Sequence, residues 1–479
     1  MKKIGILLAM ILCVGLLGCQ KEEKKDNTSL VTQTDAETVA AEVPEMESVK
    51  IELSNSEILV DGEKISEDED AAVYKARDII FYLEGQGIEY GDGKKKDGHS
   101  QIEADAHTVI HITEPGTYEF SGTLDAGQIF VDLGDGTKKE EEAVANIVLN
   151  NVDLTCTVAP AILFYRTYEC DYEAEEESAS MNVDTSAAGA NLILAEGSKN
   201  KIYGSYVAEI YEECELNEEG TKVIDSKRLH KYDGAIYSRR SMNISGTGAL
   251  NLVAENEGLG SEMHLTINGG NISITSGNDG INVNEDNISV FAMNDGELQI
   301  KVTGETGEGD GIDANGWLVV NGGIIQSAAC ATSMDSGIDA DKGIYINGGT
   351  VVATGNMPAE LEEGLQTAIS FMSREILEPG KNYEVKDEAG EVVYKGKVNN
   401  SCTTIVVSVE GISKDQKYTL WQNDAQIAEG TVGSMGNMGG RPPQGFGGGG
   451  RPQMPEGMEP PEGFEFDGKQ PPQKPGKQK

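Results

Sequence analysis

Aspartate and asparagine side chains recur at fixed places in three short segments of the chain. The segments read GINVN, GIDAN and GIDAD, and they begin at Gly280, Gly311 and Gly337. Carboxylate and amide oxygens are the ligands that Ca²⁺ prefers, with about six to eight oxygens around each ion. The pattern therefore predicts a calcium site. Its ligand candidates are Asp279, Asn282, Asp310, Asp313, Asn315, Asp335, Asp339 and Asp341.

The alternation of apolar and polar residues predicts how these side chains are positioned. Ile312 and Ala314 lie two residues apart, so a strand buries both on one face and turns Asp313 to the other. Because neighbouring strands lie about 4.8 Å apart, we expect Asp313 to lie between Asn282 and Asp339. Two carboxylates at that separation repel by about 1 kcal/mol in water, and a bound cation removes the repulsion. The alternative is a solvated acidic face that only resists edge-to-edge association.

These segments belong to a longer internal repeat. The turn glycines of the repeat recur in steps of 22, 26, 27 and 26 residues, at Gly248, Gly270, Gly296, Gly323 and Gly349. A second glycine series, each member after Asp, Glu or Ser, is interleaved with the first: Gly234, Gly258, Gly280, Gly311 and Gly337. Each repeat offers three short strands of period two: one around Gly-Ile, one before Asn-Gly and one after it.

One such repeat cannot bury its own apolar face, so the copies are expected to stack. The predicted fold is all-β: a right-handed parallel β-helix, pectate-lyase-like, with an N-terminal β region and a small C-terminal β cap. A calcium-binding β-roll needs a repeat of about nine residues, which excludes it here. An up-and-down sandwich would not return the same residues to the same strand position. The corner asparagines are expected to hydrogen-bond from copy to copy and to serve the fold: Asn268, Asn294, Asn321 and Asn347.

The charge of the chain limits its partners. The chain has 38 Lys and Arg against 81 Asp and Glu, a formal net charge of −43. Such a surface repels nucleic acid and anionic lipid and attracts cations. Five cysteines remain after the N-terminal segment, at irregular spacing and without a Cys-x-x-Cys pair: Cys156, Cys170, Cys214, Cys330 and Cys402. We therefore expect neither a zinc site nor a full set of disulfides.

The N-terminus is predicted to be a targeting segment. Lys2 and Lys3 precede an apolar run from Ile4 to Gly18, which is short of the about 20 residues that span a bilayer. The run ends in Leu-Leu-Gly-Cys and resembles a bacterial lipoprotein signal, which is cut before the cysteine. Cys19 would then carry the lipid. We expect an exported, outward-facing protein of the cell envelope that contacts the membrane through this lipid only.

The remaining boundaries follow from composition and pattern. The expected parts are a signal peptide (1–18), a lipid-anchored flexible tether (19–49), an N-terminal β region (50–145), a parallel β-helix (146–357), a C-terminal β cap (358–432) and a Gly/Pro/Met-rich disordered tail (433–479). The cap is predicted to contain two hairpins, around Glu-Ala-Gly and Asp-Ala. His107 and His111 are predicted to be exposed strand residues. We expect a monomer.

Several segments, taken in order, resemble the carbohydrate-binding parallel β-helix family of bacterial surface proteins. They are TEPGTYEFSGTLDAGQIFVDLGDG, IVLNNVDLTC, ANLILAEGSKNKIYG, DGAIYSRRSMNISGTGALNLVAENEG and the DGI copies. The similarity runs from about Lys50 to Gly430. It implies a pectate-lyase-like fold that carries calcium and binds cellulose or pectin-like polymers. Two acidic insertions, 165–189 and 209–232, depart from the family pattern.

Three functions remain open from the sequence. A binding protein could hold acidic polysaccharide through calcium, or a neutral glucan on a platform of Trp317 and Tyr345, which both alternate outward. These two rings could equally pack beneath a loop. A calcium-dependent polysaccharide lyase would need a base, and Arg239 and Arg240 are candidates only by elimination. A structural envelope spacer is the third possibility.

Overall fold

The computed structural model describes residues 48–414 and 416–432. The predicted signal peptide, Cys19, nearly all of the tether and the tail lie outside the described residues. Strands account for 50% of the chain and helices for 3%, which confirms the all-β class. No helix within the described ranges has both the length and the apolar character that crossing a bilayer requires.

The first third of the described chain contains eight strands and short helical turns. The strands are β1 (Val49–Leu53), β2 (Leu59–Val60), β3 (Glu63–Lys64), β4 (Val73–Ala76), β5 (Thr108–Ile112), β6 (Gly116–Leu124), β7 (Gly127–Asp132) and β8 (Ala145–Thr155). The helices are α1 (Gln101–Asp105) and two 3-10 helices (Lys95–Asp97 and Thr137–Lys139). Helix α1 begins after Ser100, whose hydroxyl accepts a hydrogen bond from Glu103 N–H.

The repeats contribute nineteen further strands. They are β9 (Ile162–Arg166), β10 (Ala190–Leu194), β11 (Lys199–Gly204), β12 (Val207–Leu216), β13 (Val223–Tyr232), β14 (Gly234–Ser238), β15 (Met242–Gly246), β16 (Ala249–Ala254), β17 (Glu257–Ser261), β18 (Leu265–Ile267), β19 (Asn271–Ser276), β20 (Ile281–Val283), β21 (Val290–Met293), β22 (Glu297–Val302), β23 (Ile312–Ala314), β24 (Trp317–Val320), β25 (Ile324–Ala328), β26 (Gly343–Ile346) and β27 (Thr350–Gly355). The second acidic insertion supplies most of β12 and β13, which form an antiparallel hairpin of their own.

Equivalent strands of successive repeats pair in parallel and build three stacks. Stack 1 is β5–β7–β9–β14–β17–β20–β23. Stack 2 is β8–β10–β15–β18–β21–β24–β26. Stack 3 is β8–β11–β16–β19–β22–β25–β27. The predicted three strands per repeat are therefore confirmed.

The strand register brings like residues together inside the stacks. In stack 1, Ile281 pairs with Ile312, and both side chains are fully buried. Gly311 lies at the start of this strand, where an added Cβ would lie 1.8 Å from Ser327 Oγ. Glycine is therefore required there because two stacks approach each other closely. At the Asn-Gly-Gly corner, Gly323 has φ +76°, a conformation that favours glycine.

The corner asparagines form an asparagine ladder along the edge of stack 2. Asn294 Nδ2 donates to Asn268 Oδ1 at 2.8 Å. Asn321 donates to Asn294 and Asn347 donates to Asn321, each at 2.9 Å. The predicted bonding from copy to copy is confirmed. Each amide is both donor and acceptor, so identical side chains at the strand spacing satisfy one another.

The two ends of the stacks are covered differently. At the N-terminal end, β4 adds antiparallel to β5, and the apolar core runs without a break from Ile51 to Leu361. At the other end lie β28 (Ile369–Leu377), β29 (Asn382–Lys386), β30 (Val392–Lys397), β31 (Cys402–Ser408), β32 (Lys417–Gln422) and β33 (Ala425–Val432). The predicted hairpins are present as β29–β30 and β32–β33. Strand β31 pairs antiparallel with β27, which ends the parallel series.

The prediction that His107 and His111 are exposed is wrong. His107 is buried, its Nδ1 lies 2.9 Å from Glu103 O, and Thr157 N–H donates to its Nε2. His111 is buried by the ring of Tyr74, stacked at 4.4 Å between centroids. The strand pattern alone did not indicate that α1 and β4 cover this face. All five cysteines of the described residues are free thiols.

Two neighbouring isoleucines of β25 test the inward register. Ile325 is fully buried, whereas Ile324 is 39% exposed. We expect Ile325→Ala to lower the free energy of unfolding by about 2–5 kcal/mol, because it leaves a cavity in the core. We expect Ile324→Ala to change it by less than about 1 kcal/mol. Guanidinium denaturation followed by circular dichroism measures both. Equal losses would show that Ile325 does not face the core.

Candidate functional site

Three aspartates from two consecutive repeats meet on the outer side of stack 1. Carboxylate oxygens of Asp310, Asp313 and Asp339 lie within 4.8 Å of one another. Asp313 pairs in register with Asn282, and Asp339 N–H donates to Ile312 O at 2.8 Å. The predicted neighbours of Asp313 are therefore confirmed.

Asp279 and Asn282 extend this aspartate triad toward the preceding repeat. Asp310 N–H donates to Asp279 Oδ1 at 2.7 Å, so the two residues are neighbours at the corners that precede β23 and β20. The Asn282 amide donates to Glu257 Oε1 at 3.1 Å. Its own oxygen, Oδ1, is buried and accepts no hydrogen bond within the described chain. An unused buried oxygen on the residue paired with Asp313 is available as a further ligand.

Glu257 belongs to the same acidic surface and was missed from the sequence. It is 5% exposed, and its Oε2 is buried without a hydrogen-bond partner among the described residues. The available signal was the second glycine series, in which Glu257 precedes Gly258 as Asp279 precedes Gly280. Asp233 occupies the same position one repeat earlier and forms an ion pair with Lys231 at 3.0 Å.

The other predicted ligands lie near the triad but have different roles. Asp335 Oδ2 accepts from Gly309 N–H at 2.5 Å, so this carboxylate closes a loop. The residue that occupies the position of Asp310 in the next repeat is Ser336 and not Asp335, because Gly311 N–H donates to Ser336 O. Asn315 Nδ2 donates to Asn284 O and to Asp286 Oδ1, both at 2.9 Å, and so holds a turn. Asp341 is exposed.

The crowding of carboxylates shows in their pKa values. Burial, followed by the charge of Asp313, raises the pKa of Asp279 to about 7. Burial raises the pKa of Asp310 to about 8 and, with the charge of Asp339, that of Asp313 to about 6. Burial likewise raises the pKa of Asp339, and it raises the pKa of Glu257 well above its usual value. Without a cation, the folded protein therefore disfavours full ionisation of this surface.

The oxygen set fits a hard divalent cation. The triad supplies three carboxylates, and Asp279 and the free oxygen of Asn282 belong to the preceding repeat. Oxygen ligands select Ca²⁺ or Mg²⁺ over softer metals, and several carboxylates without fixed octahedral geometry suit Ca²⁺. A cation would also offset the repulsion that raises the pKa values.

Arg239 and Arg240 lie at a distance from the triad. They follow β14, three strand steps from β23, which corresponds to about 14 Å along the stack. Arg239 lies over the ring of Tyr165 at 5.0 Å. Burial and the charge of Arg239 lower the pKa of Arg240. Neither group is placed to act on a ligand held at the triad.

Trp317 and Tyr345 lie on the outer face of stack 2. Trp317 pairs with Gly343, and Tyr345 pairs with Val319, so the two rings are diagonal neighbours on adjacent strands. Both are half-buried. Such a pair can offer an apolar surface to a sugar ring without being a fully exposed platform.

The raised pKa values predict a pH dependence of the metal-free protein. The folded state holds more protons than the unfolded chain between about pH 4 and the folded pKa values, so the free energy of unfolding falls as pH rises through that window. Asp310→Asn removes one titrating group and should reduce this fall. Thermal melting in EDTA from about pH 5 to about pH 8 measures it. The exposed Glu410→Gln is the control, and equal slopes in both variants would contradict the prediction.

Comparison with protein families and with curated proteins gives the same description twice. A family model described as carbohydrate-binding domain-containing protein matches residues 106–433, more than half of the chain. A protein of the same description from Acetivibrio thermocellus is 33% identical over 166 residues, which is 34% of this chain and 44% of that relative. The chain thus spans less than half the length of this curated relative. No solved structure matches the present chain. The chain belongs to the family of carbohydrate-binding domain-containing proteins.

Proposed function

We propose that this protein binds polysaccharide through a calcium ion held on the outer side of stack 1. The observation that carries the proposal is the aspartate triad of Asp310, Asp313 and Asp339, with carboxylate oxygens within 4.8 Å. Family membership supports a polysaccharide as the partner in general. The triad adds a chemical reason for the choice of polymer, since a cation with open positions can be shared with carboxylates of a ligand.

The proposed architecture is a right-handed parallel β-helix. Its support is the three stacks, in which each repeat adds one strand to each stack in parallel. Right-handed connection is the strong rule for parallel strands joined by crossovers. In this architecture the outer side of stack 1 is a continuous surface along the axis, on which an extended polymer can lie.

The charge of the protein favours an acidic polymer only when the cation is bound. At −43, the chain repels a uronate polymer at long range. A calcium ion at the triad offsets most of the local negative charge and gives uronate carboxylates a ligand position. Calcium dependence and a preference for pectin-like polymers are therefore one proposal.

A binding protein accounts for the site better than a lyase does. A calcium lyase needs a base beside the sugar unit that the cation orients. Arg239 and Arg240 lie about 14 Å along the stack from the triad. Arg240 Nη1 also donates to the backbone carbonyl of Arg239 at 2.6 Å, which holds the side chain against its own strand.

Calcium should stabilise the folded protein and support polymer binding. We expect about 2.7 kcal/mol of stabilisation when free Ca²⁺ exceeds its Kd by about 100-fold. The double variant Asp313→Asn, Asp339→Asn should lose this gain, whereas Glu410→Gln should keep it. Thermal melting with and without Ca²⁺ measures the effect. Retention on polygalacturonate should follow the same pattern and should be lost in EDTA.

Two results would contradict this function. Melting and polygalacturonate retention that are the same in Ca²⁺ and in EDTA would leave the triad as a solvated acidic surface. Calcium-dependent formation of an unsaturated, ultraviolet-absorbing uronide, lost in Arg239→Ala or Arg240→Ala, would instead identify a lyase.

We also propose that the protein is exported and anchored to the cell envelope through a lipid on Cys19, facing outside. The support is the Leu-Leu-Gly-Cys sequence at the end of a short apolar run. Stable anchoring by acyl chains needs two or more of them, which a diacylglycerol supplies.

Anchoring can be tested with two cysteine variants. Cys19→Ala should remove the lipid and release the protein from the membrane fraction, because no acceptor thiol remains. Cys13→Ala, inside the apolar run, should leave membrane association unchanged. Detergent phase partitioning of cell fractions measures both. Wild-type protein found entirely in the culture medium would disprove the anchor.

A further inference from the structure

The first acidic insertion (165–189) crosses the outer face of stack 2 and is fixed there at both ends. At its start, the buried Glu169 carboxylate accepts from Ser241 N–H and the Ser241 hydroxyl, each at 2.7 Å. At its end, Thr185 Oγ1 lies 2.7 Å from Thr266 Oγ1, and Asn243 Nδ2 donates to Thr185 O at 2.8 Å. The segment between these ends arches over the sheet.

A groove of about 470 Å³ lies between this arch and the asparagine ladder. Its floor includes the apolar side chains of Val290 and Ala292 on β21 and of Val319 on β24, next to the polar Thr266 on β18 and to His264. One wall is the asparagine ladder, and the other is residues 181–186 of the insertion. A volume of this size is typical of a pocket for a small molecule or a few ligand units.

The asparagine ladder leaves half of its hydrogen-bonding capacity unused. Each amide has two N–H groups and an oxygen with two lone pairs. The bond to the next copy takes one donor and one acceptor site. Asn268, Asn294 and Asn321 are exposed, so their remaining donor and acceptor sites are open to a ligand. They repeat at the strand spacing of about 4.8 Å.

This repeat suits an extended chain of hydroxyl-bearing units. A β-linked hexose polymer presents paired hydroxyls at a step close to the strand spacing, and its ring faces are apolar. Hydroxyls can bond to the ladder while the rings lie on the floor of valine and alanine. On the neighbouring strands, Trp317 pairs with Val290 and Tyr345 pairs with Val319. The floor of the groove therefore continues onto the two aromatic rings.

The charge of the insertion selects against acidic polymers at this place. The insertion contains seven acidic residues and one arginine between Tyr165 and Gly189. Asp184 lines the groove itself. A uronate chain would meet like charge here, whereas an uncharged chain would not.

We propose that the groove between the asparagine ladder and the first insertion is a second binding site, which takes an uncharged β-linked glycan without calcium. The chain lies along the stack axis, from the arch at Val183 toward Trp317 and Tyr345. The site is separate from the aspartate triad, and the proposal rests on the proposed function only in that the ligand is a polysaccharide.

Calorimetric titration of the full chain with cellohexaose in EDTA tests the proposal. Wild type should bind. Val183→Trp places a large side chain in the groove and should weaken binding by about tenfold or more, the loss typical of a blocked contact at the centre of a site. Trp317→Ala should weaken it as well. The matched control is Glu177→Trp, on the exposed part of the same insertion and away from the groove lining. It should bind as wild type does, and the melting temperatures should show that all variants are folded.

The outcomes separate this site from the calcium site. Cellohexaose binding that survives in Asp313→Asn, Asp339→Asn, while polygalacturonate binding is lost, supports two sites. Equal affinity in Val183→Trp, Glu177→Trp and wild type would overturn the groove proposal and leave the calcium site untouched. Absence of cellohexaose binding, or binding only to a cationic glycan that high salt abolishes, would also overturn it. Absence of polygalacturonate binding in the wild type with Ca²⁺ present, while cellohexaose still binds, would overturn the proposed function instead.

Discussion

The spacing of about 4.8 Å between parallel strands in register governs this molecule. It places each side chain directly against its equivalent in the next repeat, so residues of like chemistry come to lie in columns along a stack. Isoleucine on isoleucine excludes water, as Ile281 and Ile312 do. Three such columns, one from each stack, supply an apolar core that a single repeat could not form.

The same spacing has opposite effects on asparagine and aspartate. An amide is donor and acceptor at once, so the ladder from Asn268 to Asn347 satisfies itself. An ionised carboxylate is acceptor only, so Asp310, Asp313 and Asp339 repel one another at this distance unless they are protonated or share a cation. The fold thus places repelling charges together on the outer side of stack 1 and none along the asparagine ladder. This contrast is why the proposed calcium site and the proposed glycan groove occupy different stacks.

Periodicity made much of this predictable. A period of two and the glycine series indicated three strands per repeat, the inward isoleucines, the bonded asparagines and the neighbours of Asp313. What the pattern could not supply were contacts between segments far apart in sequence. Glu169 bonds to Ser241, 72 residues on, and Thr185 reaches Thr266, 81 residues on. No repeat marks these pairs, so the position of the arch, and with it the groove, was not predictable. The burial of His111 under Tyr74 has the same cause.

The antiparallel pairing of β31 with β27 has a consequence for how such proteins can change over evolution. Because β31 closes stack 3 in the opposite direction, the end of the series does not depend on how many copies precede it. Each copy pairs its strands only with those of its neighbours, so whole copies can be gained or lost by recombination without rebuilding either terminus. The ligand-facing surface would then lengthen or shorten by about 4.8 Å for each copy gained or lost.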